Sequence, residues 1–531
     1  MKRARFAASW GQAVLASLTA AVLCTPTPFC CGQNEQPSPT ATLQVQAQEV
    51  VLDVIVKDHS GNLVDGLSKD DFSIFEDGER QRIRSLQQPS SHRSALGTEH
   101  VRSSADLSKA AGAPVDILVL DELNTPFADM SFARDEMVAW LKRQPLILGA
   151  PTLLLVANDR TLSVLHDYTQ ERAALLDSLQ KHLPSYPVTL SKGGSSGPDA
   201  ARRMALSLGS LMQIAESTSG IVGRKNIIWM GAGFPAVVLD DLSARDEQQI
   251  VSAVARTTSL LLASRITLNI IDPTAMSTAY VDPGDPDYLD FSRLRTTGVS
   301  ATAPPAGILS FGTFAPATGG TFTSQKNDLE KQLEEIEKTD LSFYTLSYSP
   351  ANASSDAASF RKIHVVMRDP ALVATTRTGY FPDVAGAVSA PPRPPATSQL
   401  AFDLTNAALS LIPYRGLSIE AIKTESGYVL HVDRKGLSIR DLANGAGVSE
   451  VTVMQAYFGK KNAVLEHRVL ELKSDPTSPS STAVDFSLPP AAVPVGTQRL
   501  RIVVRDALSG HIGTVDLDPQ DPVTGARHAL Q

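Results

Sequence analysis

The chain has 531 residues, more than a single hydrophobic core accommodates, and its 43% hydrophobic and 20% charged content is that of ordinary globular protein. This excludes a disordered or fibrous chain, and a formal net charge of −8 lacks the basic footprint of a nucleic-acid binder. The three cysteines, Cys24, Cys30 and Cys31, all sit near the N-terminus, so the remainder must be held together by its cores rather than by disulfides.

Lys2, Arg3 and Arg5 precede an apolar run from Ala13 to Cys24, the pattern of a secretory signal peptide with a positive n-region and a short h-region. The run is too short to cross a bilayer, and Gly32 supplies a small residue for cleavage. Residues 1–32 are therefore expected to be a signal peptide, directing export to the periplasm or the medium. No later stretch reaches transmembrane length, so no membrane span is expected in the mature chain.

Residues 33–88 read as a small β domain. Val45–Val56 is rich in β-branched residues, D-H-S-G at Asp58–Gly61 and Asp77-Gly78 are turn chemistry, and short strands lie between them. A polar linker is expected over 89–113. Between 114 and 382, strands alternate with helices. Strand expectations are Val115–Leu120, Thr152–Val156, Thr161–Leu165, Asn226–Met230, Thr267–Ile271 and Leu341–Ser347. Helices are expected at Phe132–Arg143, Glu171–Leu183, Ala200–Thr218, Asp246–Ser264 and Asn327–Thr339. Such alternation predicts right-handed crossovers and a central α/β, doubly wound domain. A Pro-rich linker, A-P-P-R-P-P-A at Ala390–Ala396, sits within 383–398, and 399–520 reads as a C-terminal β-sandwich.

Several segments, taken in order, resemble the VWFA-related Acidobacterial domain family of exported bacterial proteins. They are V-K-D-H-S-G-N-L-V-D-G-L-S-K-D-D-F-S-I-F-E-D-G, I-L-V-L-D-E-L-N-T, G-R-K-N-I-I-W-M-G-A-G-F-P and L-N-I-I-D-P. T-G-G-T-F, L-S-F-Y-T-L-S-Y-S-P, R-K-I-H-V-V-M-R, G-Y-F-P and V-V-R-D-A-L-S-G-H-I-G-T continue the series. The resemblance implies a von Willebrand factor A-like (Rossmann-like) central fold and no known catalytic activity. It further implies a divalent-cation site at the carboxyl ends of the sheet strands, built in that fold from Asp-x-Ser-x-Ser, a Thr from a middle loop and a later Asp.

The corresponding segment here is Asp121-Glu122-Leu123-Asn124-Thr125. Asp121 and Thr125 match, Asn124 is one place off, Leu123 stands where a hydroxyl belongs, and Met230-Gly231-Ala232-Gly233 lacks the later carboxylate. Asp121, Asn124 and Thr125 are thus the candidate ligands of a degenerate site that would take Mg²⁺ or Ca²⁺. Without a cation, Asp121 and Asn124 would cap the following turn. A second acidic loop, with Asp282, Asp285, Asp287 and Asp290, is a candidate Ca²⁺ clasp or a solvated loop. No H-E-x-x-H, C-x-x-C, G-x-S-x-G or phosphate-loop constellation appears, so no enzymatic chemistry is expected.

The expected function is therefore protein or extracellular-matrix binding of the adhesion type, with no nucleic acid as partner. The alternative lies at residues 437–465, where L-S-I-R-D-L-A-N-G-A-G-V-S-E-V-T-V-M-Q-A-Y-F-G-K-K-N-A-V-L resembles the helix-turn-helix of TetR-type repressors. That reading would make the chain a DNA-binding regulator. Against it, Val448–Phe458 is β-rich and Gly459–Asn462 is hairpin chemistry, so a β-hairpin is expected.

Overall fold

A computed structural model describes residues 49–94, 100–104, 106–107, 112–158, 162–184, 198–238, 243–274, 308–324, 328–350, 360–380, 397–410, 412–424, 427–441, 447–478 and 480–519. The segment expected to be a signal peptide, the acidic loop carrying Asp282 to Asp290 and residues 383–396 of the expected Pro-rich linker lie outside the described residues.

The first strand, Val50–Asp58 (β1), has the two-residue period of a sheet with one buried face: Val50, Leu52, Val54 and Val56 point inward. Phe72–Glu76 (β2) repeats the pattern and turns at Asp77 and Gly78, both at positive φ. Ile83–Gln87 (β3) follows. The chain then reaches Val115–Asp121 (β4), whose apolar residues are buried on both faces.

Strand β4 lies inside a six-stranded sheet. Ile147–Ala157 (β5) pairs with it in parallel on one side, and Leu162–Glu171 (β6) continues antiparallel from β5. On the other side come Lys225–Met230 (β7), Ile266–Ile271 (β8) and the two-residue Phe322–Thr323 (β9), all parallel. Helices cover both faces. Phe127–Arg143 (α1), Arg172–Lys181 (α2) and Leu329–Asp340 (α5) pack Met137, Leu141, Leu175, Leu179 and Leu333 on Leu118, Leu120 and Leu154. Pro198–Thr218 (α3) and Ala244–Ala263 (α4) pack Leu211, Ile214, Val254 and Leu261 on Ile117, Val119 and Trp229. The alternation of adjacent apolar residues between two cores is why β4 reads as a continuous apolar run.

Beyond α5 the chain returns to its beginning. Tyr344–Tyr348 (β10) runs antiparallel to β1, with Val50 opposite Tyr348, and antiparallel to β3, with Leu86 opposite Leu346. Arg361–Met367 (β11) pairs with β2, and Leu372–Thr375 (β12) with the far end of β1. These strands share one core, in which Leu52, Val54, Phe72 and Ile74 meet Tyr344, Leu346, Tyr348, Ile363 and Val365. The buried Glu76 carboxylate accepts hydrogen bonds from the hydroxyls of Tyr348 at 2.6 Å and Tyr380 at 3.2 Å.

Helix Thr397–Leu409 (α6) opens the C-terminal region. Two antiparallel sheets follow. One consists of Ile419–Thr424 (β13), Gly427–Asp433 (β14) and Ala483–Leu488 (β17). The other consists of Glu450–Phe458 (β15), Val464–Lys473 (β16), Arg499–Asp506 (β18) and Ile512–Leu517 (β19). Leu430, Val432, Val453, Phe486, Ile502 and Val504 fill the space between them. Of the segment that a helix-turn-helix would occupy, residues 442–446 lie outside the described residues, and Glu450 onward forms the β15–β16 hairpin, with Val453 opposite Leu470 and Asn462 at positive φ in the connection. Helix α6 covers the outer face of the second sheet through Leu404, Ala407 and Ala408 against Met454, Phe458 and Val503.

This organisation corrects the expected one of a dominant central doubly wound domain flanked by separate β domains. Among the described residues the protein is 41% strand and 29% helix, with its strands dispersed over several sheets, most of them small. The strands between residues 50 and 87 have no core of their own, because their hydrogen-bonding and packing partners lie at residues 344–380. The segment expected as a linker over 89–113 contributes the buried His92, Val101 and Leu107. The physical reason is that a two-residue period announces a strand but not which strand it pairs with. No helix among the described residues is long and apolar enough to cross a membrane.

Ionic groups join the helical layer to the C-terminal sheets. Asp403 of α6 is 5% exposed and receives Arg256 of α4 at 2.9 Å and Arg505 of β18 at 3.1 Å. Glu216 of α3 lies 3.6 Å from Arg256. Burial pushes the Glu216 carboxyl up to about 7, against the pull of the Arg256 charge. A carboxyl raised in the folded state contributes stability that is fully present below its unfolded pKa and is lost as pH rises through the folded value. We therefore expect unfolding free energy from denaturant titration to fall between about pH 4.5 and about pH 7. In Glu216→Gln, which stays neutral, that fall should be smaller by about 1–3 kcal/mol; an identical pH profile in the two proteins would contradict the assignment.

Candidate functional site

Strand β4 ends at Asp121, and its next four residues form a turn that leads into α1. Asp121 is fully buried, and so is Thr125, while Asn124 is 6% exposed. The three candidate ligands are therefore brought together by one turn, at the carboxyl end of a central strand, where open α/β sheets place their ligands.

Their atoms are already engaged. Asp121 Oδ1 accepts from the backbone N–H groups of Leu123 (3.1 Å) and Asn124 (3.0 Å) and from Asn124 Nδ2 (3.2 Å). Asp121 Oδ2 accepts from Asn124 Nδ2 (3.1 Å), Trp229 Nε1 (3.1 Å) and the Gly233 N–H (3.0 Å). Thr125 Oγ1 accepts from the Ala232 N–H at 3.1 Å. Asn124 Nδ2 also donates to Ser207 Oγ (2.9 Å), which in turn donates to the Arg203 carbonyl within α3. A single carboxylate thus ties the ends of β4 and β7 to each other, and through Asn124 and Ser207 to a helix. Burial pushes the Asp121 carboxyl above the usual range, and the hydrogen bonds from Asn124, Trp229 and Gly233 pull it back.

The loop after β7 is shaped to reach this carboxylate. Gly231 adopts φ +153° and Gly233 φ +67°. A Cβ at Gly231 would lie 2.3 Å from Asp121 Cβ, and one at Gly233 would lie 2.2 Å from the Phe311 ring. Both positions need glycine for space as well as for backbone conformation.

The residues present do not fit a divalent cation. Mg²⁺ and Ca²⁺ require about six or more oxygen ligands. The Asp121 oxygens face N–H donors, whose positive ends repel a cation, and the Thr125 hydroxyl oxygen holds a backbone N–H. The one buried oxygen of this set without a partner is Asn124 Oδ1. Among the described residues no three His, Cys, Asp or Glu side chains gather in a metal-holding group. The expected Mg²⁺ or Ca²⁺ set of Asp121, Asn124 and Thr125 is therefore read as a hydrogen-bonded clasp, because the oxygens of Asp121 and Thr125 face N–H donors and the single unpartnered oxygen, Asn124 Oδ1, cannot hold an ion alone.

Sequence reasoning missed Trp229, Gly233 and Ser207 as the partners of Asp121 and Asn124. For Trp229 and Gly233 the signal was present in I-I-W-M-G-A-G-F, a buried strand ending in closely spaced glycines, whereas nothing around Ser207 of α3 marked it. A second contact lies beside the clasp, where His182 Nε2 meets Glu122 Oε1 at 2.5 Å, joining the turn after β4 to the end of α2.

Asp121→Ala strips the acceptor from the buried N–H groups of Leu123, Asn124, Trp229 and Gly233 and is expected to cost roughly 3–5 kcal/mol in denaturant unfolding. Chelation of divalent ions is expected to leave the melting temperature of the wild type unchanged; a drop of several degrees would restore the metal reading.

No family model and no curated protein matches the chain. Among solved structures, a point mutant of the PilB minor pilin from Streptococcus sanguinis aligns with a TM-score of 0.26 at 10% identity, over 43% of this chain and 61% of that one. The human COPII-coat protein Sec24c aligns with a TM-score of 0.24 at 9% identity, over 52% of this chain and 45% of that one. Both likenesses are too distant to carry a functional argument, so the reading of function rests on the site.

Proposed function

We propose that the chain is an exported, non-enzymatic recognition protein that captures a protein or matrix partner with the loops at the carboxyl ends of β4 and β7. The observation that carries this reading is a pair of exposed apolar side chains mounted on the tied-down loop cluster. Phe127 is 44% exposed in the first turn of α1, directly beyond the clasped turn. Leu183 is 80% exposed and follows His182, the residue bonded to Glu122 of the same turn.

An exposed aromatic on a rigid support is the kind of anchor that interfaces use, since little side-chain and loop entropy remains to be lost on binding. The clasp supplies that rigidity without a cation, so capture in this reading is independent of divalent ions.

A photo-crosslinking amino acid at position 127, introduced in the producing cell, tests the proposal. Illumination is expected to give a discrete protein adduct that is absent when the probe replaces Val366, an exposed residue of β11. Adduct patterns that do not differ between the two positions would overturn it.

A further inference from the structure

The opposite end of the six-stranded sheet carries a second polar site. At the amino-terminal ends of β7 and β8, where that sheet meets β1, a small cleft of ≈ 20 Å³ is lined by Asp53, Arg224, Arg265, Thr267 and Arg377, among others. Three guanidiniums and a single carboxylate share this space. Asp53 Oδ1 accepts from Arg265 Nη2 at 2.6 Å and from Thr345 Oγ1 at 3.0 Å. The charges of Arg265 and Arg224 hold its carboxyl below the usual range in spite of burial, so it is ionised at neutral pH.

The arginines are fixed from several sides. Arg224 is 2% exposed, donates from Nε to Thr267 Oγ1 at 3.1 Å and lies over the Phe343 ring, 4.8 Å from its centroid. Arg265 adopts φ +53° and donates from Nη1 to the Val222 carbonyl. Arg377 donates to the carbonyls of Leu262 at 3.0 Å and Val51 at 3.1 Å. Each guanidinium nevertheless keeps one buried nitrogen with no acceptor: Arg224 Nη1, Arg265 Nε and Arg377 Nε.

Two further buried carboxyls, Asp116 and Asp340, lie near Arg224 but outside the lining of the cleft. Asp116 is pushed up to about 7 by burial, and burial with the neighbouring Asp116 charge holds Asp340 well above the carboxylate range. Lys225 is also buried, its amine lowered to about 7 and donating to the Gly223 carbonyl. The lining of the cleft itself sets three guanidiniums against one carboxylate. Unpaired buried charge and orphaned buried donors are both costly, and such groups in a native structure call for an ion or water.

We propose that the Arg224–Arg265–Arg377 cleft binds a doubly charged oxyanion of the phosphate or sulfate class. Two excess positive charges match a dianion, and guanidinium forks match oxyanion geometry better than ammonium groups do. The ligand would present one such group to the cleft, either as a free ion or as the end of a larger molecule.

Calorimetric titration of the full-length mature chain with inorganic phosphate, sulfate and O-phosphoserine, at constant ionic strength with chloride as the control, tests this. Saturable one-to-one binding of phosphate or sulfate is expected, weakened at least about tenfold in Arg377→Gln. Asp53→Asn, whose amide oxygen can still accept from Arg265 and Thr345, removes the competing charge and is expected to tighten binding by about tenfold, a gain that a surface site elsewhere would not show. O-phosphoserine binding tighter than phosphate identifies a presented group as the ligand, and weaker binding identifies the free ion. No saturable binding by the wild type, or affinity unchanged in Asp53→Asn, would overturn the proposal. Should Arg377→Gln fail to fold, Arg377→Lys, which keeps the charge and loses the fork, takes its place with the same expected direction.

Discussion

The ion pair between Asp53 and Arg265 fixes how the two halves of the N-terminal region meet. Asp53 sits on the half-buried face of β1, opposite to Leu52 and Val54, and bonds Arg265 at the entry to β8 as well as Thr345 of β10. Segments more than two hundred residues from β1 in sequence are thereby held to it at one point. The register of β1 follows from it. A slip by one residue would turn Asp53 into the apolar core and push Leu52 and Val54 out of it. Arg224 and Arg377, lodged against the same carboxylate's surroundings, would then lose the negative neighbour that offsets their burial.

At the other end of the sheet a carboxylate plays a different part. Asp121 is ringed by N–H groups rather than by oxygens, and such a shell makes the carboxyl group a cross-link between loops. A cation site must leave ligand oxygens aimed at a shared point with room between them, whereas here the indole of Trp229 and the Gly233 amide occupy that room. Rigid loops so made can carry an exposed aromatic without its being lost to motion. The two ends of the sheet therefore differ: at one a carboxyl group is ringed by N–H groups beside exposed apolar side chains, and at the other guanidiniums gather around a single cleft carboxylate.

Local elements were largely legible in the sequence, and their assembly was not. The apolar run at Val115–Leu120 coincides with β4, and helical spacing over Asp246–Ser264 coincides with α4 to within two residues. The β-branched run at Val448–Phe458 announced a strand over a helix, in keeping with β15. Helix α6 was missed within a region read as all β, although Leu400, Leu404, Ala407 and Ala408 carry a helical period of apolar positions. The reading of β6 stopped six residues short, because H-D-Y-T-Q-E alternates too weakly to show a half-buried edge. The return of β10, β11 and β12 onto the first strands could not be read at all, since periodicity contains no partner information. The candidate site was legible only in its own turn: Asp121, Asn124 and Thr125 are local to one another, while Trp229 lies 108 residues away.

The pairing of β1 with β10 and β12 also has a temporal consequence. Val50–Val56 has an apolar face that stays open until residues 344 to 375 are made and brought back, so the chain holds an unpaired strand through most of its synthesis. Contacts of such long sequence separation are formed late and slowly, because loop closure must precede the contacts that reward it. Until that moment β1 is a free template for any other extended segment, and a strand made early is among the last to find its place.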